Sequence, residues 1–146
     1  MGKSTHAKPD SVSFNLANTR EDIERAETFL MTALDRHQYP EAARFAVRLA
    51  LEEGLVNAFK HGHKTLPPES TVNLSVVVDH SRVQIDVVDQ GPGFDPADVP
   101  DPTLDENLDK PSGRGLLLMR AYMTSLEHLG RGNHLRMVFH RTAAPA

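Results

Sequence analysis

Two alternating runs near the middle of the chain constrain its fold more than any other feature. Val72, Leu74, Val76 and Val78 are apolar at every second position. Val83, Ile85 and Val87 repeat the pattern after the polar stretch Asp79-His80-Ser81-Arg82. Period two sends these side chains to one side of a pleated ribbon, and the polar connector makes the pair a β-hairpin. A ribbon with one wholly apolar side needs further elements to cover it.

Those elements can be read on either side. Val12-Ser13-Phe14-Asn15-Leu16 alternates in the same way and predicts a half-buried strand. A closing hairpin has one arm from Leu126 to Leu129, a turn at Gly130-Arg131-Gly132-Asn133, and Leu135, Met137 and Phe139 facing inward on the other arm. Thr19 offers an N-cap and Glu21-Asp22 place acids in the first turn of a helix that runs to about His37 and stops near Pro40. A second helix follows Pro40 and continues to about His61-Gly62, and a third opens at Gly115. Strands grouped in hairpins with helices elsewhere predict an α+β fold. The expected form is a two-layer α/β sandwich, its mostly antiparallel mixed sheet covered on one face by helices. One domain spans residues 11–141, with residues 1–10 and 142–146 as flexible ends. Residues 91–112 show little periodicity and carry prolines at 92, 96, 100, 102 and 111, which reads as a lid or binding loop.

Composition removes several functions. Sixteen Lys and Arg against 20 Asp and Glu leave a net charge of −4, without the basic excess that direct nucleic-acid binding needs. Trp is absent and aromatics are 5%, so there is no stacking platform for single strands. The absence of Cys excludes a disulfide framework, a zinc–thiolate site and a thiol nucleophile, and it suits the cytoplasm. No apolar run approaches the roughly 20 residues of a membrane span, and no secretory signal is visible.

Polar residues interrupt the apolar faces at three places. On the second helix Glu41, Arg44, Arg48 and Glu52 form the solvent side and Ala42, Ala46, Leu49 and Ala50 the opposite one. Glu53 and Asn57 fall in the middle of that apolar side, one turn apart. A buried carboxylate and amide cost several kcal/mol without partners. A metal, a ligand or an internal basic residue would each serve. Asp89 continues the inward row of Val83, Ile85 and Val87, and Gln90-Gly91-Pro92-Gly93-Phe94 follows it. It reads either as a base-recognition carboxylate or as a cap for its own turn. Gly113-Arg114-Gly115 precedes the Leu116 helix, where free N–H groups favour phosphate; a plain hinge is the alternative. Neither GxxxxGK[ST] nor GxGxxG after a parallel strand is present. His61-Gly62-His63 resembles a metal pair but has no acids beside it, and the histidines otherwise read as surface residues. Phe29 and Met31 pack between helix and sheet or form part of a dimer face.

The ordered set resembles the GHKL ATPase superfamily, which includes gyrase, MutL and histidine kinases. Glu53-Gly54-Leu55-Val56-Asn57-Ala58-Phe59-Lys60-His61-Gly62 resembles its N box, Asp89-Gln90-Gly91-Pro92-Gly93-Phe94 its first glycine box, and Gly113-Arg114-Gly115-Leu116 its second. The small size and the wording DQGPGFDP and SGRGLLLMR are similar to bacterial anti-sigma-factor serine kinases. The resemblance implies the Bergerat ATP-binding fold, with ATP and Mg²⁺ as ligands. It implies that Asn57 ligates Mg²⁺, Glu53 acts as base for the attacking hydroxyl, and Asp89 accepts the adenine amino group. Gly91 and Gly93 support that pocket, and Gly113, Gly115 and Leu116 hold phosphate. Arg114 either touches a phosphate or stays in solvent. Arg25 on the first helix would help bind partner and nucleotide. Thr124 stands after Met123 where the family often has an acid, which bears on partner choice. The implied activity is an ATP-dependent protein serine/threonine kinase that phosphorylates a small anti-sigma-factor antagonist and sequesters a sigma factor, as a homodimer. The alternative is an ATP-binding switch module with little or no kinase activity. A detached histidine-kinase catalytic domain is disfavoured, because 146 residues leave no room for a helical segment bearing a phosphoacceptor His.

Overall fold

The computed structural model describes residues 8–63, 66–91, 123–130 and 133–141. In chain order they form β1 (Asp10–Leu16), α1 (Arg20–Arg36), α2 (Glu41–Asn57), a π-helical turn (Ala58–Gly62), β2 (Val72–Val78), β3 (Arg82–Val88), β4 (Ser125–Leu129) and β5 (His134–His140). The five strands make one sheet in the order β1-β2-β3-β5-β4, and each neighbouring pair is antiparallel. This is the predicted α+β sandwich. The third helix expected from Gly115 and most of the 91–112 loop lie outside the described residues.

Sequence chemistry sets the ends of the helices. Thr19 is extended and its hydroxyl accepts the Asp22 N–H at 3.3 Å. Asp22 in turn accepts the Ala17 N–H at 2.8 Å, so the acid in the first turn also fixes the chain entering the helix. After Arg36 the chain turns through Gln38, which has a φ of +59°, and Pro40 opens α2. Arg141, just past β5, secures this corner. Its Nη1 donates to the His37 carbonyl at 3.0 Å and the His80 carbonyl at 3.1 Å, Nη2 donates to the Gln38 carbonyl, and the guanidinium lies 4.4 Å from the Tyr39 ring centroid. The His37 carbonyl belongs to the C-cap of α1, where helix geometry provides no partner, and the His80 carbonyl belongs to the β2–β3 connection, so one guanidinium ties the two together.

Both described helices cover the same side of the sheet. Leu30 and Leu34 of α1, with Leu51 and Leu55 of α2, meet Leu16, Leu74, Ile85 and Met137 in one core. Each such fully buried side chain contributes about 1.5–3 kcal/mol. Gly54 lets α2 approach closely. A Cβ there would stand 2.9 Å from Met137 Cε and 3.6 Å from Val87 Cγ2.

Two expectations are corrected. The buried side of α2 is Ala43, Ala46, Val47, Ala50, Leu51, Gly54 and Leu55, whereas Ala42 is exposed and Leu49 half-buried. Glu53 and Asn57 therefore sit on the shoulder of the buried stripe and not at its centre. The apolar surface of α2 is wider than its contact with the sheet, and Phe45 and Val56 are exposed. The contact centres on small residues because they allow the closest approach. The histidines are not uniformly superficial either, since His37 and His63 are buried.

The opposite face of the sheet is polar. Ser13, Ser75, Asp86, Arg136 and Glu127 lie side by side across the strands. Asp86 accepts from Gln84 at 2.9 Å and Arg136 at 2.8 Å, and pairs with His134 at 2.8 Å. Burial alone would raise its pKa, but the hydrogen bonds from Gln84, Arg136 and His134 outweigh burial and hold it below the usual carboxylate value.

Candidate functional site

The end of the sheet where α2 and β3 both terminate carries the site. Gly54 packs over Val87 and Leu135, and Asn57 lies one turn further along α2, just before the π-helical turn whose following residue His63 bonds to Gln90 beside Asp89. Glu53 and Asn57 are both half-buried and a helical turn apart. Their helix passes directly into the π-helical turn Ala58–Gly62, a distortion frequently found at functional sites. No hydrogen bond or ion pair within the described residues engages either side chain. Two half-buried hard oxygen donors without partners among the described residues are suited to a ligand or an oxygen-loving cation.

Asp89 lies just beyond β3, half-buried. Its Oδ1 accepts the Gly91 N–H at 2.8 Å, while Oδ2 has no hydrogen bond within the described residues. Burial pushes its pKa up. The Gly91 bond pulls the other way without offsetting burial. The turn-capping alternative is thus observed at one oxygen, and it leaves the other oxygen without a hydrogen bond among the described residues.

The surrounding backbone is fixed by residues that the motifs do not include. Asp89 N–H donates to the Asn133 carbonyl at 2.9 Å, and Asn133 Nδ2 donates to the Asp89 carbonyl at 3.0 Å. Gln90 N–H donates to His63 Nε2 at 2.9 Å, and Gln90 Nε2 donates to the Thr71 carbonyl at 2.8 Å. These contacts join the π-helical turn, the β4–β5 turn and the start of β2 to the segment bearing Asp89. In the sequence His63 stands out only as half of a His-Gly-His pair and Asn133 only as part of a turn. Their sole signal was their position, one just past the N box and the other beside a hairpin glycine.

Among the described residues no group of three or more His, Cys, Asp or Glu could hold a metal ion by itself. A cation here would be held by one or two protein oxygens together with phosphate oxygens, which is the ordinary arrangement for Mg²⁺. The Asn57 carboxamide fits that requirement.

Other expected site residues are placed apart from this cluster or not at all. Gly91 is buried beside Asp89. Gly93, Gly113, Arg114, Gly115 and Leu116 lie outside the described residues. Arg25 lies against β1, its guanidinium 5.3 Å from the Phe14 ring centroid and 3.4 Å from Asp22 Oδ1, and its described contacts do not join it to Asn57 or Asp89. A separate hollow of about 330 Å³ between α1 and α2 is lined by Glu24, Glu27, Thr28, Met31, Thr32 and Arg48 and contains none of the expected residues.

Residues 16–139 match the family model described as the histidine kinase-like ATPase domain, which takes in both helices, β2, β3 and β4, all of β5 but His140, and only Leu16 of β1. The chain belongs to that family. ATP binding follows from the domain type. This histidine kinase-like domain is also similar to the serine/threonine-protein kinase BtrW of Bordetella bronchiseptica (strain ATCC BAA-588 / NCTC 13252 / RB50). The two are 30% identical over 109 residues, which cover 72% of this chain and 76% of that protein. The relationship supports a kinase-like ATPase. No helix among the described residues is long and apolar enough to cross a membrane.

Proposed function

We propose that this protein is an ATP-dependent protein serine/threonine kinase that acts as a cytoplasmic anti-sigma factor. It phosphorylates a Ser or Thr of a small antagonist protein and, when the antagonist is released, sequesters a sigma factor. The observation that carries this reading is the pairing of Glu53 and Asn57. They are half-buried, without described partners, a turn apart, and at the same end of the sheet as the available oxygen of Asp89. The likeness to a serine/threonine-protein kinase supports the choice of acceptor.

Each residue has a definite task. Asp89 accepts the adenine amino group with Oδ2 while Gly91 holds Oδ1, and Gly93 completes that pocket. Asn57 contributes its carboxamide oxygen to Mg²⁺, and the ion, when bound, neutralises charge on the phosphate oxygens. Gly113, Gly115 and Leu116 supply backbone N–H groups to phosphate, with Arg114 beside them. The antagonist hydroxyl oxygen bonds to the γ-phosphorus, the bond from that phosphorus to the ADP oxygen breaks, and Glu53 takes the hydroxyl proton. Phosphoryl transfer depends on positioning and charge neutralisation more than on covalent chemistry with the protein, and this site supplies both. Arg25, exposed on α1, belongs to the partner-binding surface of a homodimer.

Incubation with labelled ATP, Mg²⁺ and a candidate antagonist, read for phosphoserine and phosphothreonine, tests the proposal. Transfer is expected with the native chain, and Glu53→Ala is expected to lower it by about 10² or more while leaving ATP binding largely intact. Tight ATP binding with no transfer to any antagonist would instead identify a nucleotide-operated switch module.

A further inference from the structure

The backbone around Asp89 is held from two sides by His63 and Asn133. Asn133 grips the Asp89 peptide through two hydrogen bonds, of 2.9 and 3.0 Å. His63 takes the next N–H along, that of Gln90, at 2.9 Å. The His63 ring is buried, at 8% exposure, and stands edge-on to Phe59 with 5.8 Å between centroids. A ring nitrogen that accepts from a backbone N–H carries no proton itself, so the proton of this neutral imidazole is on Nδ1. An aliphatic residue could fill the same space, but it would leave the Gln90 N–H without its partner.

We infer that His63 is a positioning and specificity residue: by fixing the Gln90 peptide it gives Asp89 Oδ2 a single direction, and the preference for adenine over guanine depends on that direction. This rests on the reading of Asp89 as the adenine acceptor. A fixed carboxylate oxygen accepts the amino group of adenine, whereas guanine presents a carbonyl oxygen at the same place and is repelled. A carboxylate free to swing can turn to the N1–H and the 2-amino group of guanine, and the discrimination is lost. His63 touches no reacting atom and acts wholly through Asp89.

The experiment compares the native chain with His63→Leu, His63→Gln and Asp89→Asn, measuring ATP and GTP affinity by calorimetry. It adds nitrogen NMR of the His63 ring in the nucleotide-free native protein. The native ring is expected to be protonated on Nδ1 with Nε2 bare. His63→Leu is expected to lower ATP affinity about tenfold with little change for GTP, the scale of one lost hydrogen bond. His63→Gln, whose amide oxygen can accept from Gln90, is expected to restore the native ATP-to-GTP ratio. A proton on Nε2 overturns the inference even if His63→Leu fails to fold. So does an equal loss of ATP and GTP affinity in His63→Leu, or a His63→Gln variant as impaired as His63→Leu. If Asp89→Asn keeps the native ratio, the adenine reading itself fails and this inference falls with it. If Asp89→Asn loses the ratio and His63→Leu keeps it, only the role of His63 is refuted.

Discussion

Asp89 accepts the Gly91 N–H with Oδ1 at 2.8 Å, closing a tight turn in its own chain. Turn-capping and ligand recognition are commonly treated as rival explanations for an aspartate beside glycines. A carboxylate has two oxygens, and here the first is used while the second has no hydrogen bond among the described residues. Asp89→Asn retains an oxygen for Gly91 but replaces the second oxygen, proposed to accept the adenine amino group, with a donor. We expect ATP and ADP affinities to fall alike, by about tenfold to a hundredfold, in calorimetric titrations. A loss confined to ATP would argue against adenine recognition.

Asn57→Ala removes the carboxamide proposed for Mg²⁺. Its ATP affinity in the presence of Mg²⁺ should drop below detection by calorimetry, while circular dichroism remains native because the side chain is half-buried on a helix shoulder. An unchanged Mg²⁺-ATP affinity would remove the metal role from this residue.

Asp86 provides a test of stability on the far side of the sheet. Its folded pKa lies below the ordinary 3.8 of a free aspartate, so the folded state binds its proton less readily than the unfolded chain does. The stabilisation is complete above that ordinary value and disappears as pH falls through the lower folded value. Asp86→Asn should therefore lower unfolding free energy at neutral pH by about 1–2 kcal/mol. The difference from the native protein should shrink when urea unfolding is repeated at roughly pH 3.

Tyr39 sets the alkaline limb. Its hydroxyl donates to the Asp79 carbonyl at 2.7 Å. Burial pushes its pKa up to about 12, with Arg141 opposing and Asp79 assisting. Between the ordinary value of 10.0 and about 12 the unfolded chain loses this proton and the folded chain keeps it, so stability falls as pH rises through that window. Tyr39→Phe should unfold with a weaker pH dependence there, as followed by circular dichroism.

The strands were legible because period two is local. β2 begins at Val72 as expected, and β1 extends from Leu16 back to Asp10, where the polar residue is held by Arg36 of α1 and by the C-cap residue His37. Thr19 capped α1 as its chemistry required. The orientation of α2 was less accessible. Its buried stripe is set by which small residues touch the sheet, and Gly54 against Met137 is a contact between residues far apart in sequence. The same limit hid His63 and Asn133. A hydrogen bond from Gln90 to a histidine 27 residues earlier leaves no periodic trace. Asp89 was visible because it interrupts an apolar row, whereas a residue that supports it interrupts nothing.

The placement of β5 between β3 and β4 has a consequence for biosynthesis. Until His134–His140 has left the ribosome, β3 presents an open edge, and the Arg141 tie to His37, spanning 104 residues, cannot form. The nascent chain therefore passes through an interval in which β1, β2 and β3 are complete and their growing edge is unsealed. Such an edge can recruit a strand from another polypeptide. Translation speed between β3 and β5, and chaperone access during that interval, should govern how much of this protein reaches its native form.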